Sequence, residues 1–262
     1  MAEFVTALFP RRITQRATAP RVLLLALFLV PASALATTII AARTSDFVII
    51  ATDSKATYLG NPGPPTVCKI HNSGTLYFAV AGLDHDTRRN FHVDAIVARN
   101  FSPAGKFDEQ VARVERAISQ ALVTELGRMR LEDPGTYAFT ARPGKDVVSI
   151  VIAEWQEGVP HLAARGFSWT AVPVPGVNVA RVTCPGDCSD GRELVSLGQK
   201  SAAEKFMHDN SGENFDLPSL ATKLVQLEIA DSPGDVGPPI SEVRLDKDGA
   251  TWISNDSGCP AH

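Results

Sequence analysis

The segment SALATTIIAARTSDFVIIATDSKAT, residues 33–57, sets two threonines directly behind the tail of an apolar run. A threonine hydroxyl is a poor nucleophile until a base takes its proton, and an internal threonine has no base built in. A threonine at a free N-terminus carries one in its own α-amino group, whose ordinary pKa of roughly 7.7–8.0 leaves a neutral fraction near neutral pH. Thr37 gains that base only if the chain is cut after Ala36, and the preceding residues bear the marks of such a cut. Arg11, Arg12, Arg16 and Arg21 precede VLLLALFLV, residues 22–30, and PASALA follows with small residues at Ala34 and Ala36. This is the basic, apolar and A-x-A order of a secretory signal peptide. An apolar stretch of that length falls short of the roughly 20 residues that span a bilayer, and no cysteine follows the cut to take a lipid. The expectation is a signal peptide over residues 1–36 and a mature domain over residues 37–262. The mature protein is then periplasmic or secreted, with no stable membrane anchor after processing.

Export also permits disulfides among the four cysteines. Cys184 and Cys188 sit in TCPGDC, a tight Pro-Gly turn suited to a small-loop bridge. A metal site is the sharper reading of that pair, but no second Cys or His pair lies nearby to complete it. Cys68 and Cys259 are too distant in sequence for a pairing to be inferred.

The elements that must hold Thr37 follow from pattern. TTIIAAR and FVIIATD are β-branched runs separated by TSD and read as a hairpin. NPGPPT is a loop, after which VCKIH and TLYFAVAG form a second strand pair around NSG. RRNFHVDAIVARN is a helix candidate. Over residues 107–129, Phe107, Val111, Val114, Ile118, Leu122, Leu126 and Met129 recur every three or four positions, the stripe of a helix on a core. Glu109, Arg113, Glu115 and Arg116 fall on its other face and read as solvated surface. Strands resume with VVSIVIAEW and PHLAARGFSW, and the Pro-rich stretch after them reads as irregular or edge strand. ELVSLG is a strand, 199–209 and 218–230 are helices with Pro218 suited to a first turn, and ISEVRLDKDGATWIS is a closing hairpin. Strand, helix, strand, helix and strand blocks in that order argue against a parallel doubly wound sheet and for two antiparallel sheets with helices outside them, an α+β fold.

At 262 residues and 44% hydrophobic content the chain can bury one sizeable core. Its net charge is −4, and removing residues 1–36, with four Arg and one Glu, takes a net +3 away and leaves −7. A moderately acidic chain without a Lys/Arg run beyond the N-terminus is not expected to bind nucleic acid.

From Thr37 onward the sequence resembles the proteasome β-subunit and HslV type of N-terminal nucleophile (Ntn) hydrolase, as an exported bacterial member. TTIIAARTSDFVIIATDSKAT is similar to that family's opening of Thr-Thr, strand, turn and a strand ending A-x-D-S-x-A-T. The likeness continues through TVCKIH to AVAG, and is weaker in VSIVIAEWQEGVPHLAARGFSW and SEVRLDKDGATWI. It implies a four-layer αββα sandwich of two antiparallel sheets. It also implies an amide hydrolase, most naturally a peptidase, that works through an acyl-threonine and needs neither metal nor organic cofactor. In that reading Thr37 is the nucleophile, Lys69 lowers the pKa of its hydroxyl and amine, Asp53 pairs with Lys69, and the backbone N–H of Gly82 faces the developing oxyanion. The alternatives are a catalytically silent fold-mate serving as a binding module, and a small-molecule amidase or acylase of the same fold.

The sequence departs from the family in its C-terminal half. The supporting G-S-G reads SLGQKSA, so that Gln199, or less readily Ser201, has to replace the serine. The supporting Asp with Ser three residues on becomes ADSPGDVGPP, where Asp231 and Asp235 compete. Transfer of the primary specificity pocket falls on Ala56, Val67, His71 and Val80, which suit a medium apolar side chain. The partner expected is a peptide or amide substrate. Family members stack into rings with an ATPase, export separates this chain from ATP, and a homo-oligomer is the assembly left open.

Overall fold

Strand β1 (Thr38–Arg43) and strand β2 (Phe47–Asp53) are buried along almost their whole length, and this decides what surrounds them. Ile39, Ala41, Val48 and Ile50 pack into one apolar cluster, while Ile40, Ala42, Ile49 and Ala51 pack into another. Successive side chains point to opposite faces, so an unbroken apolar run marks a strand covered on both sides. The hairpin between them is fixed by the Thr44 hydroxyl oxygen, which accepts from the amides of Asp46 and Phe47 at 3.1 Å each.

This computed structural model describes residues 37–56, 66–102, 104–171, 175–188, 193–255 and 258–259. All lie in one compact unit. The expected signal peptide, 1–36, and most of the NPGPPT loop lie outside the described residues. After the first hairpin come β3 (Ile70–Ser73), β4 (Leu76–Gly82), β5 (His85–Asp86), β6 (Phe91–His92), α1 (Val93–Asn100), α2 (Phe107–Glu132) and α3 (Pro134–Thr140). Then follow β7 (Asp146–Gln156), β8 (Val159–Thr170), β9 (Gly176–Cys184), β10 (Glu193–Gly198), α4 (Ser201–Asp209), α5 (Leu217–Asp231), β11 (Ile240–Asp246) and β12 (Gly249–Asn255). The architecture is α+β: among the described residues, five helices and two large antiparallel sheets, ordered β10-β1-β2-β11-β12 and β3-β4-β7-β8-β9, with a small β5–β6 pair. None of these helices is long and apolar enough to cross a membrane.

Three apolar clusters join the elements. Tyr77, Ala79 and Ala81 of β4 and Val151 and Ala153 of β7 meet Ile39, Ile50 and Val243 between the two sheets. Phe78 and Val80 of β4 and Ile150 and Ile152 of β7 meet the buried stripe of α2. Leu220, Ala221, Leu224 and Val225 of α5 cover the far face of β1 and β2. Truncating a fully buried stripe residue such as Leu122 costs about 2–5 kcal/mol, transfer and cavity together.

Several boundaries differ from the sequence reading. β3 begins at Ile70, so Cys68 and Lys69 lie on the irregular stretch before it. α1 starts only at Val93, because Phe91 and His92 pair as β6. α3 is an unexpected helix, although its signals are present: Pro134 in its first turn, and Asp133 as N-cap accepting from the Thr136 amide at 3.0 Å. Of the two readings of the stretch after β8, irregular or edge strand, the second holds over Gly176–Cys184, a regular nine-residue edge strand, β9. Glu115 is not a solvated side chain of α2. It accepts from Arg165 Nε at 2.9 Å and from Arg181 Nη2 at 2.6 Å, tying the helix to β8 and β9.

Both cysteine pairs are bridged, Cys184 with Cys188 and Cys68 with Cys259. Cys184, Cys188 and Glu193 lie close enough to suggest a cation site, but the disulfide removes both thiolate ligands. The second bridge leaves no free thiol at Cys68, next to Lys69.

Candidate active site

The antiparallel pairing of β1 with β2 brings the start of β1 beside the end of β2, where Asp53 is fully buried. Its carboxylate gathers five hydrogen bonds. Oδ1 accepts from the Thr38 amide at 3.0 Å and from Lys69 Nζ at 2.9 Å; Oδ2 accepts from Lys69 Nζ at 3.0 Å and from the amides of Lys55 and Gly237 at 3.2 Å each. Lys69 is itself 8% exposed. Burial pushes its ammonium below the ordinary lysine value, and the facing Asp53 charge only partly restores it. Since Thr38 N and Lys69 Nζ share one oxygen, the ammonium lies no farther from the Thr37–Thr38 peptide than two hydrogen bonds laid end to end.

Thr37 is nearly buried, at 8% exposure. Its carbonyl accepts from the Gln199 amide at 2.9 Å, and the Thr38 hydroxyl donates to the Gln199 carbonyl at 3.0 Å. These bonds continue the β1–β10 pairing past its last partner, Gly198, which has φ +73°. A Cβ on Gly198 would strike the Thr37 carbonyl oxygen. Glycine is therefore required there by both conformation and space.

Gly82 ends β4 with φ +88°, where a Cβ would strike the Val147 carbonyl. A cavity of about 470 Å³ is lined by Ala81 and Gly82 of β4 and by Leu197, Gly198 and Gln199 at the end of β10; Thr37, Asp53 and Lys69 are not among its lining residues. Its charged lining residues are Arg142, Lys145, Asp146 and Lys200.

No family model and no curated protein matches the chain.

The structure brings Asp53 and Lys69 into direct contact beside Thr38, and Gly82 and Gln199 both line one cavity. The supporting residues enter differently from expectation. Gln199 reaches Thr37 with its backbone amide, while its side chain donates to Ser232 Oγ at 3.3 Å; Ser232 in turn donates to Asp231 at 3.3 Å. Asp235 touches this turn through its amide, which donates to the Ser232 carbonyl at 2.9 Å. Ser232 and Gly237 were not readable as site residues. The turn that carries them follows α5 and is pinned by Lys55 Nζ, which donates to the carbonyls of Pro233 at 2.7 Å and Gly234 at 2.6 Å.

The four residues read as a specificity pocket do not line the cavity. Val80 packs in the cluster beneath α2. His71 is half-buried on β3 with its ring 5.3 Å from that of Phe78, and burial lowers its pKa. Val67 donates its amide to the Ser54 carbonyl at 2.8 Å, next to partly buried Ala56, so these two flank the two ends of the loop between β2 and β3.

Proposed function

We propose that the chain is an exported N-terminal threonine amide hydrolase, a peptidase, with the four-layer αββα arrangement of the proteasome β-subunit and HslV type of Ntn hydrolase. Signal-peptide removal after Ala36 is then the activating step. The observation that carries this reading is the buried Lys69 ammonium held by both oxygens of Asp53, one of which also takes the amide next to Thr37.

The proposed chemistry makes use of those contacts. The freed α-amino group of Thr37 takes the hydroxyl proton as Oγ bonds to the scissile carbonyl carbon. The adjacent ammonium makes loss of that proton easier, and because burial has already lowered the Lys69 pKa, the ammonium gives up or shares a proton more readily than an ordinary lysine. The developing oxyanion lies toward the Gly82 amide, where one backbone donor contributes about 3–4 kcal/mol. Collapse breaks the C–N bond, and the leaving amine receives the proton held by the α-amine. Water then attacks the threonine ester by the same route and releases the acid.

The test is hydrolysis of a fluorogenic peptide amide by the exported protein and by its Thr37→Ala and Thr37→Ser variants. Thr37→Ala is expected to lose activity by 10³-fold or more, as loss of a nucleophile does, while Thr37→Ser keeps a measurable rate. Activity retained by Thr37→Ala would sink the proposal.

A further inference from the structure

We propose that the Cys68–Cys259 disulfide positions Lys69, and that the site becomes competent only when this bond has formed. The proposal rests on the threonine reading above.

Lys69 depends on a stretch with little regular structure of its own. β3 begins one residue after it, and the upstream ties are the isolated Lys55–Thr66 bridge and the Val67 amide on Ser54. The remaining tether is Cys68, covalently joined to Cys259. Cys259 is itself fixed: its amide donates to Asn255 Oδ1 at 2.7 Å, and Asn255 Nδ2 donates back to its carbonyl at 2.8 Å. Asn255 ends β12 opposite Ser241 of β11, and Ser241 is paired with Thr52 of β2 and lies 3.3 Å, hydroxyl to hydroxyl, from Ser54. Asp53 is the residue between Thr52 and Ser54. The covalent and hydrogen-bonded path from Lys69 through Cys68, Cys259 and Ser241 therefore returns to the strand that carries the lysine's own partner.

The closure has a chemical consequence. A lysine side chain has four rotatable bonds, and holding its ammonium against both oxygens of one carboxylate requires a fixed Cα. A displacement of about 1 Å in a catalytic group costs on the order of 10²-fold in rate. Forming the bond removes two electrons and two protons from the Cys68 and Cys259 thiols, and a protein disulfide oxidant of the export compartment takes them up as it becomes a dithiol. A chain retained in a reducing compartment would then fold around a loosely held Lys69. Cys68 and Cys259 are positioning residues in this scheme; neither meets substrate.

The experiment uses the exported protein in a Cys184→Ser/Cys188→Ser background, so that one disulfide remains, and reads the rate at which a β-lactone probe acylates Thr37. Cys259→Ser is expected to slow acylation about 10-fold or more and to move its pH profile upward, because a displaced ammonium no longer eases deprotonation. Dithiothreitol on the same Cys184→Ser/Cys188→Ser background with Cys259 retained, at concentrations that leave near-UV circular dichroism native, should lower the rate in step with Cys68 alkylation and reverse on reoxidation. This second arm holds even if Cys259→Ser folds poorly. Acylation at full rate with an unshifted profile while the bond is open overturns the clamp alone. Failure of the intact protein to label at Thr37 overturns the threonine reading beneath it.

Discussion

Asp53 and Lys69 form one ion pair but do not depend on it equally. Without Lys69, the Asp53 carboxylate keeps three backbone donors, from Thr38, Lys55 and Gly237. Without the Asp53 charge, Lys69 loses its only ion-pair partner among the described residues. An uncompensated buried charge costs about 3–5 kcal/mol. Asp53→Asn should therefore destabilise by about that much and Lys69→Ala by less, in denaturant titrations at pH 7, while both abolish acylation of Thr37. The pH dependence has a definite sign. Lys69 is lowered in the folded state, so between its folded value and the ordinary 10.5 the unfolded chain holds more protons. Stability from this group then rises with pH. Asp53→Asn removes the interaction that partly restores the pKa and should steepen that rise; a parallel pair of curves for wild type and variant would mean that the lysine is not governed by Asp53.

At the scale of elements, the charge on Glu115 joins α2 to β8 and β9, and its pKa is lowered, chiefly by the Arg181 hydrogen bonds and further by Arg165. A depressed carboxylate stabilises above its ordinary value of about 4.5 and loses that contribution as pH falls through the folded value. Glu115→Gln should cost about 1.5–3 kcal/mol at pH 7, the range for hydrogen bonds to charged groups, and the difference from wild type should shrink toward zero as the pH falls below that folded value. A pH-independent difference would assign the loss to packing instead. Glu115 also shows where sequence pattern stops being informative: helical periodicity put it correctly on the outward face of α2, yet nothing local reveals that two arginines from other strands come to that face. The same limit explains the rest. The runs TTIIAAR, FVIIATD and TLYFAVAG are legible as strands because their residue types state it, and the α2 stripe because it spans more than six turns. Asp53 and Lys69 were suggested by likeness of spacing, and Gln199 by its place after β10. The Ser232 link, the Gly237 amide and the Cys68–Cys259 bridge join residues far apart in the chain and leave no local trace. α3 had a cap and a proline but only seven residues, too few for a periodic signal.

For the whole molecule, charge and covalent closure matter most. The mature chain would carry −7, yet the cavity beside Gly82 and Gln199 presents Arg142, Lys145 and Lys200 against Asp146 alone. Lys200 is also paired with Glu204 at 2.8 Å, and all three cations are exposed, which keeps the effect small. Exposed pairs are worth about 0.2–1 kcal/mol, so a peptide with a carboxylate beyond the scissile bond should be cleaved a few-fold faster, in kcat/KM, than its amide counterpart. Raising the salt from about 0.05 to 0.5 M should erase the preference; a salt-independent ratio would point to shape. The Cys68–Cys259 bridge spans 191 residues, and closures of this kind contribute about 2–5 kcal/mol, so exported protein should melt at a lower temperature once reduced. The proposed chemistry depends on a cut after residue 36. The most direct measurement is mass determination of the exported protein, intact and after reaction with the β-lactone, with peptide mapping of the adduct. The account predicts a mature chain that begins at Thr37 and a single acyl adduct on that residue. A chain that begins anywhere else, or an adduct on another side chain, would contradict it.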